Sequence, residues 1–419
     1  MSVPLTGSLG RGTTMVMDPV RRQYEAYPYP ARDPADEARR LIEGSPSHPV
    51  EIDHYVFGGR RDWSQPFRAL VAGGGTGDGL IMLAQKLADI GCPADITYID
   101  MSEASREIAE ARARARGLDV RFITGDLLAA ADMGPFDYID CCGVLHHLPD
   151  PDAGFQALSA ALASDGGIGL MVYAPYGRSG VYPLQAAFGT LLATDAPEEK
   201  VRLARAALGA LPPSHPFSLN PVLGDHEASD AGLYDLLIHA RDRAYTVAEL
   251  GAALDGAGLG LVSVLGRTRY DPLRYLPDCA ALAKRVKQLD PIARLAVGEQ
   301  LSGNLKTHIA YAVKAGRADK AEARPTKPDL VPHLAGVPAQ GLARHIHKHG
   351  AFSAKEDGLT IDVAVPRASA PLIAQIDGQR TLGQIAAGQD WLSFSAAWGP
   401  VHRALTGINV LHYSMGVKR

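Results

Sequence analysis

Residues 70–79 read LVAGGGTGDG. An apolar run ends in a glycine cluster, the pattern of a buried strand that turns sharply into a helix. Glycine at such a turn lets a ligand or another stretch of backbone come close, and it tolerates positive φ. Three ligand classes use this kind of turn, and spacing separates them. A GxGxxG dinucleotide fingerprint counted from Gly73 needs glycine at position 78, where the chain has Asp78. A phosphate loop of the GxxxxGK[ST] type needs a lysine, and the stretch has none. What remains is Gly73-x-Gly75-x-Gly77, followed by a helix whose free N–H groups face the turn and suit an anionic group.

Outward from that loop the chain alternates strand and helix. FRALVAG (67–73), ADITYIDMS (94–102), VRFITGD (120–126), FDYIDCCGVL (136–145) and GIGLMVYAP (167–175) read as five strands. DGLIMLAQKLADIG (78–91), EASREIAEARARARG (103–117) and DAGFQALSAALASDG (152–166) read as helices between them, the first and last with a glycine stop. This rhythm specifies a parallel α/β sheet with right-handed crossovers. It breaks at Tyr176 and resumes at YTVAELGAALDGAGL (245–259), where Thr246 and Glu249 have capping-box spacing. GLVSVLG (260–266) and THIAYAVK (307–314) are the last two strands.

The whole chain has 419 residues, which predicts two or three domains. With 46% hydrophobic and 21% charged residues it has the composition of a soluble globular protein. A formal net charge of −4 argues against indiscriminate nucleic-acid binding, which needs a strong basic field. Cys92, Cys141, Cys142 and Cys279 form no CxxC pair, and a reduced, cytoplasmic protein is expected. The first 17 residues lack the charged and apolar regions of a signal peptide and are expected to be loose; no apolar run is long enough to cross a bilayer.

Three features join the glycine loop. Asp100 closes the second strand, where a carboxylate accepts hydrogen bonds from ribose hydroxyls; capping the next helix is its plain alternative, a role open also to Ser102. Met101 stands beside it, ready to pack on an adenine. TGDLL (124–128) puts Asp126 and Leu127 after the third strand. DYIDCCGVLHHLPDP (137–151) closes the fourth. Taken together, these motifs resemble the class I S-adenosylmethionine (SAM)-dependent methyltransferases, with their GxGxG loop and their VLHHL.DP signature. The likeness covers residues 67–175 well and 245–315 loosely.

The resemblance implies a Rossmann-like sheet with one late antiparallel strand, THIAYAVK, a SAM cofactor released as S-adenosylhomocysteine, and a methyl-transfer enzyme. It implies cofactor contacts at Gly73, Gly75, Gly77, Asp78, Asp100, Met101, Asp126 and Leu127. Apart from the resemblance, Tyr24, Tyr27 and Tyr29, stiffened by Pro28 and Pro30, suit a flap over the cofactor with a hydroxyl such as that of Tyr29 on it; covering a hydrophobic edge is the plain alternative. One departure stands out. The family usually has Asp or Glu two residues before the first motif glycine, and this chain has Val71.

Methyl transfer from a sulfonium needs alignment and exclusion of water, and a base only where the acceptor arrives protonated. The candidate acceptor-side residues are therefore few: His147 as base or orienter, with His146 packing away from it; Arg178 among Tyr173, Tyr176 and Tyr182; and His239, four residues after Asp235 on an expected helix. Each has a structural alternative, as a loop cap or as part of a surface ion network. The segment ARHIHKHG (343–350) alternates histidine as a strand would, and solvated histidines fit it better than a metal site. No resident metal is expected.

The resulting organisation is an N-terminal extension and flap (1–66), irregular over 18–66, the SAM-binding core (67–175 and 245–315), a mostly helical substrate cap (176–244), a linker (316–330), and a small α+β module (331–419). The segment LIAQIDGQRTLGQIA (372–386) resembles winged-helix-like domains. Such a tail is suited to recruiting a macromolecular acceptor, to homodimerisation or to walling off the site. The expected function is methyl transfer to a small molecule. The alternatives are transfer to a tRNA or protein recruited by the tail, and SAM binding without turnover.

Overall fold

A computed structural model describes residues 18–415 except 277 and 357–358; the first 17 residues, expected to be loose, lie outside it. The central sheet holds β1 (Phe67–Ala72), β2 (Ala94–Asp100), β3 (Arg121–Thr124), β4 (Phe136–Cys142), β5 (Leu162–Tyr173), β6 (Leu259–Val264) and β7 (Thr307–Lys314). Their order across the sheet is β3-β2-β1-β4-β5-β7-β6, and β7 runs antiparallel to both of its neighbours. This is the class I methyltransferase arrangement, with THIAYAVK as the reversed strand.

Successive residues of β1 serve opposite faces. Leu70 and Ala72 join the core under one face; Ala69 and Val71 join the other. Leu70, Ile99 and Leu170 are fully buried, each stabilising the sheet by ~1.5–3 kcal/mol. The helices of this part are α1 (Pro19–Ala26), α2 (Pro49–Val56), α3 (Asp78–Asp89), α4 (Glu103–Ala115), α5 (Pro151–Ala161), α6 (Val181–Leu191), α7 (Pro197–Gly209), α8 (Asp225–Ala228), α9 (Asp230–Leu237), α10 (Val247–Gly256), α11 (Ala280–Val286) and α12 (Pro291–Ser302). Thr246 and Glu249 make the expected capping box on α10. Helices α6, α7 and α9, in the segment expected as a cap, bury Val181, Phe188, Val201 and Leu233 in a separate core. Among the described residues no helix is long and apolar enough to cross a membrane.

Four local expectations turned out differently. Residues 18–66, read as irregular, contain α1 and α2, and every residue of α2 is buried. The helix expected through His239 ends at Leu237, so Asp242 and Arg243 lie in a loop. ARHIHKHG is helical, within Ala339–His349, because Leu342, Ala343 and Ile346 recur at helical spacing and turn inward. Residues 316–330, read as a linker, include a short helix, Ala318–Ala321, and bury Ala321 and Ala323.

The C-terminal module has two antiparallel pairs, β8 (Val331–Leu334) with β11 (Leu411–Ser414) and β9 (Ala351–Glu356) with β10 (Leu359–Ala364). Its helices close a core around Ile346, Trp398 and Tyr413. The module docks on α2: Tyr55 donates to Asn409 Oδ1 at 2.9 Å, and the Tyr413 N–H donates to His54 Nδ1 at 3.2 Å. Glu322 lies beneath this contact. Burial alone would push its carboxyl up; His54 at 3.7 Å and the Arg267 guanidinium at 2.7 Å outweigh burial and hold it at about 2. A depressed carboxylate stabilises the fold above its unfolded value of ~4.3, and the contribution disappears as pH falls toward 2. Glu322→Gln is therefore expected to lower stability at pH 7 by ~1–3 kcal/mol. In unfolding scans, the gap from wild type should close as pH drops from 4.5 to 2.5; a gap independent of pH would refute this account.

Candidate functional site

The glycine loop joins β1 to α3 at the carboxyl end of the sheet, where open α/β sheets bind ligands. Its glycines answer first to the protein's own packing. Gly73 has φ +69°, and a Cβ there would lie 2.4 Å from Val144 Cγ2. Gly75 has φ +53°, and its Cβ would lie 2.9 Å from the carbonyl of Tyr29. The N-terminal segment is thus laid directly over the loop. Thr76 Oγ1 donates to the Pro30 carbonyl at 2.6 Å, and Arg32 pairs with Asp78 at 2.6 Å. Asp78 also takes Arg112 at 2.8 Å; burial opposes its charge, but the two guanidinium groups hold its carboxyl below the usual range. Gly77 caps α3 and faces Ala109 of α4.

Asp100 ties the loop to β2. Its Oδ2 accepts from the Gly75 N–H and its Oδ1 from the Ser102 N–H, both at 2.8 Å. Ser102, not Asp100, caps α4, accepting from Ser105 N–H. Burial pushes the Asp100 carboxyl up, and each oxygen keeps a further lone pair. Asp126 caps the turn that begins at Leu127. On the other side, the Glu25 carboxylate accepts from the N–H groups of Glu103 and Ala104, which fixes α1 on the start of α4.

A cavity of about 500 Å³ runs along this crest. Gly73, Gly75, Asp78, Asp100, Met101, Asp126, Leu127 and Tyr29 all line it, as do His147, Tyr173 and Asp235 at its far end. Gly77, Arg178 and His239 are not among the lining residues. Arg178 lies behind: its guanidinium sits 3.7 Å from the Tyr173 ring centroid and pairs with Asp242 at 2.9 Å. His239 stacks on His147 with ring centroids 3.7 Å apart. His146 does not turn away from His147 as expected: the two rings lie 4.1 Å apart, and both pack against Tyr173.

Hydrogen bonds assign the tautomers at the far end. His147 Nδ1 lies 2.7 Å from the Arg241 carbonyl, so it carries the proton and Nε2 holds the lone pair. That Nε2 is buried without a hydrogen-bond partner. Burial keeps the ring below the usual histidine range, hence neutral at pH 7. His239 Nδ1 accepts from the Arg241 N–H at 3.0 Å, so its proton is on Nε2, 3.2 Å from the Tyr24 hydroxyl. Tyr24 and Tyr173 then donate to the two oxygens of Asp235 at 2.9 and 2.8 Å. His147, Asp235 and His239 bring ligand-type atoms within 4.8 Å of one another. A cation there would need the lone pair of His239 Nε2, which this bonding has already protonated.

Residues 70–168 match the family of methyltransferase domains. That stretch is a methyltransferase domain, and the sheet that carries it has the class I fold. Over 309 residues, 71% of each chain, it is 28% identical to the protein syc1184_c of Synechococcus. It is 32% identical over 115 residues to the ubiquinone biosynthesis O-methyltransferase of Bordetella avium, of which it spans 46%. The structure of PKMT2 from Rickettsia typhi in complex with AdoHcy shares the fold at a TM-score of 0.59, with 13% identity over 88% of this chain and 75% of that one. Sequence reasoning singled out the crest residues and the run of Tyr24, Tyr27 and Tyr29 but passed over Arg32 and the cavity wall at Gly44, Ser45 and Ser47, which no local pattern signals.

Proposed function

We propose that the protein transfers a methyl group from SAM to a small acceptor held between the methyltransferase core and the cap. The observation that carries this reading is one cavity lined by the glycine crest, by Asp100 and by His147. The residues fit SAM. The turn at Gly73 and Gly75 leaves room for backbone approach to the methionyl portion, while Gly77 and Asp78 hold the loop's shape. Asp100 has lone pairs left for ribose hydroxyls, Met101 and Leu127 flank an adenine, and Asp126 receives its amino group. Tyr29 forms the roof.

The cofactor supplies an electrophilic methyl on sulfur. The chain's own part is to exclude water and align the acceptor. His147 Nε2 takes the acceptor's proton as the nucleophile attacks. Asp235 and Tyr173 orient the acceptor's polar groups. Arg178 and His239 act from behind, by fixing the Tyr173 ring and the His147 ring. The small volume under the flap favours a metabolite over a polymer, and the C-terminal module docks on α2, where recruitment is not required of it.

The test uses methyl-labelled SAM with separated small-molecule, protein and RNA fractions. Label is expected in the small-molecule fraction. Label in protein or RNA would replace the acceptor class, and SAM binding without any transfer would leave a binding protein.

A further inference from the structure

Val71 stands where the family carries an acid, and the sheet itself replaces it. In the β1–β4 ladder, Val71 is in register with Asp140. Both line the cavity. Asp140 is 2% exposed, and Ser47 Oγ donates to its Oδ2. Among the described residues no cationic side chain pairs with it, and burial pushes its carboxyl up. A buried carboxylate without a cation is costly and takes up either a proton or a cationic group; because this one lines the cavity, a bound cation can reach it. Asp78, the other acid near the loop, is already matched by Arg32 and Arg112.

The location narrows the cation. A Cβ on Gly79, in the first turn of α3, would lie 3.1 Å from Asp140 Oδ2 and 2.9 Å from Ser47 Oγ. The carboxylate therefore sits beneath the start of that helix, which follows directly on the glycine crest. Its support is rigid. The Pro46 carbonyl accepts from Tyr138 and Tyr311 at 2.7 and 2.9 Å, and Asn409 Nδ2 reaches Ser45 Oγ at 3.2 Å.

Resting on the reading that this cavity holds SAM, we propose that Asp140, oriented by Ser47, binds the α-ammonium group of the methionyl tail. The acid that the first strand lacks has moved one strand across the sheet.

Calorimetric titration of wild type, Asp140→Asn and Ser47→Ala tests this with three probes: S-adenosylhomocysteine, its analogue lacking the amino group, and 5′-methylthioadenosine. Asp140→Asn is expected to weaken S-adenosylhomocysteine by ~30-fold or more, as removing one partner of a buried charged pair does. The other two probes, without the ammonium, should bind both proteins alike. Ser47→Ala should show the same selectivity at ~3- to 10-fold, and carries the test if Asp140→Asn does not fold. Unchanged S-adenosylhomocysteine affinity in Asp140→Asn overturns the proposal. So does an equal loss for all three probes in both variants, which marks a structural role. Wild type that binds none of the probes overturns the cofactor reading itself.

Discussion

His147→Gln is expected to lower kcat by ~10²–10⁴-fold while leaving SAM affinity within ~2-fold of wild type. Glutamine retains a donor for the Arg241 carbonyl, so the turn at 145–147 is kept, but it has no lone pair that can take a proton at neutral pH. The pH profile gives a second readout. Burial lowers the affinity of His147 for a proton, so the base stays unprotonated further into acid than an ordinary histidine. Wild-type kcat/KM should therefore hold level as pH falls through ~6.5 and drop only below that. The residual activity of His147→Gln should not show that drop. A variant with full activity would mean that the acceptor arrives already deprotonated.

Asp100→Ala is expected to weaken SAM by at least ~100-fold. The variant loses hydrogen bonds from a charged acceptor to the ribose, each worth ~1.5–3 kcal/mol, and releases the Gly75 and Ser102 N–H groups that shape the crest. Asp100→Asn should do no better, because one amide N–H₂ would face a backbone N–H. The rise in melting temperature on adding SAM should vanish in both, since it scales with the logarithm of ligand concentration over Kd. Unlike Asp140→Asn, these variants should lose 5′-methylthioadenosine as well. Retained thermal stabilisation by SAM in Asp100→Ala would remove the ribose from this end of the cavity.

The parts of the site that were legible in the sequence are those fixed by short-range geometry. An apolar run ending in glycine, or an acid closing a strand, lands at the carboxyl edge of the sheet wherever the rhythm is α/β. Asp100, Asp126 and His147 are of this kind. Asp140 was equally visible in FDYIDCC, but its value lies in its register with Val71, across a ladder that joins segments 69 residues apart. Helix α2 was hidden for another reason. Its sequence PVEIDHYV buries Glu51, Asp53 and His54 along with its apolar residues, so no periodicity shows. The partners that make those polar groups tolerable are Tyr311 and Asn409 for Glu51, the Arg61 N–H for Asp53 and Glu322 for His54. The helix at 339–349 misled in the opposite direction, because three exposed histidines mimic an alternation that the buried Leu342 and Ile346 contradict.

Asn409 has a positive φ of 56° and touches Tyr55, Glu51 and Ser45 at once, the last of these on the wall of the cavity. Deleting the tail would thus strip α2 of its cover, expose aromatic surface to water and loosen a wall of the chamber in the same stroke. A shortened chain that proves inactive would testify to damage at the hearth of the enzyme, and says nothing about whether the missing piece ever fetched a substrate.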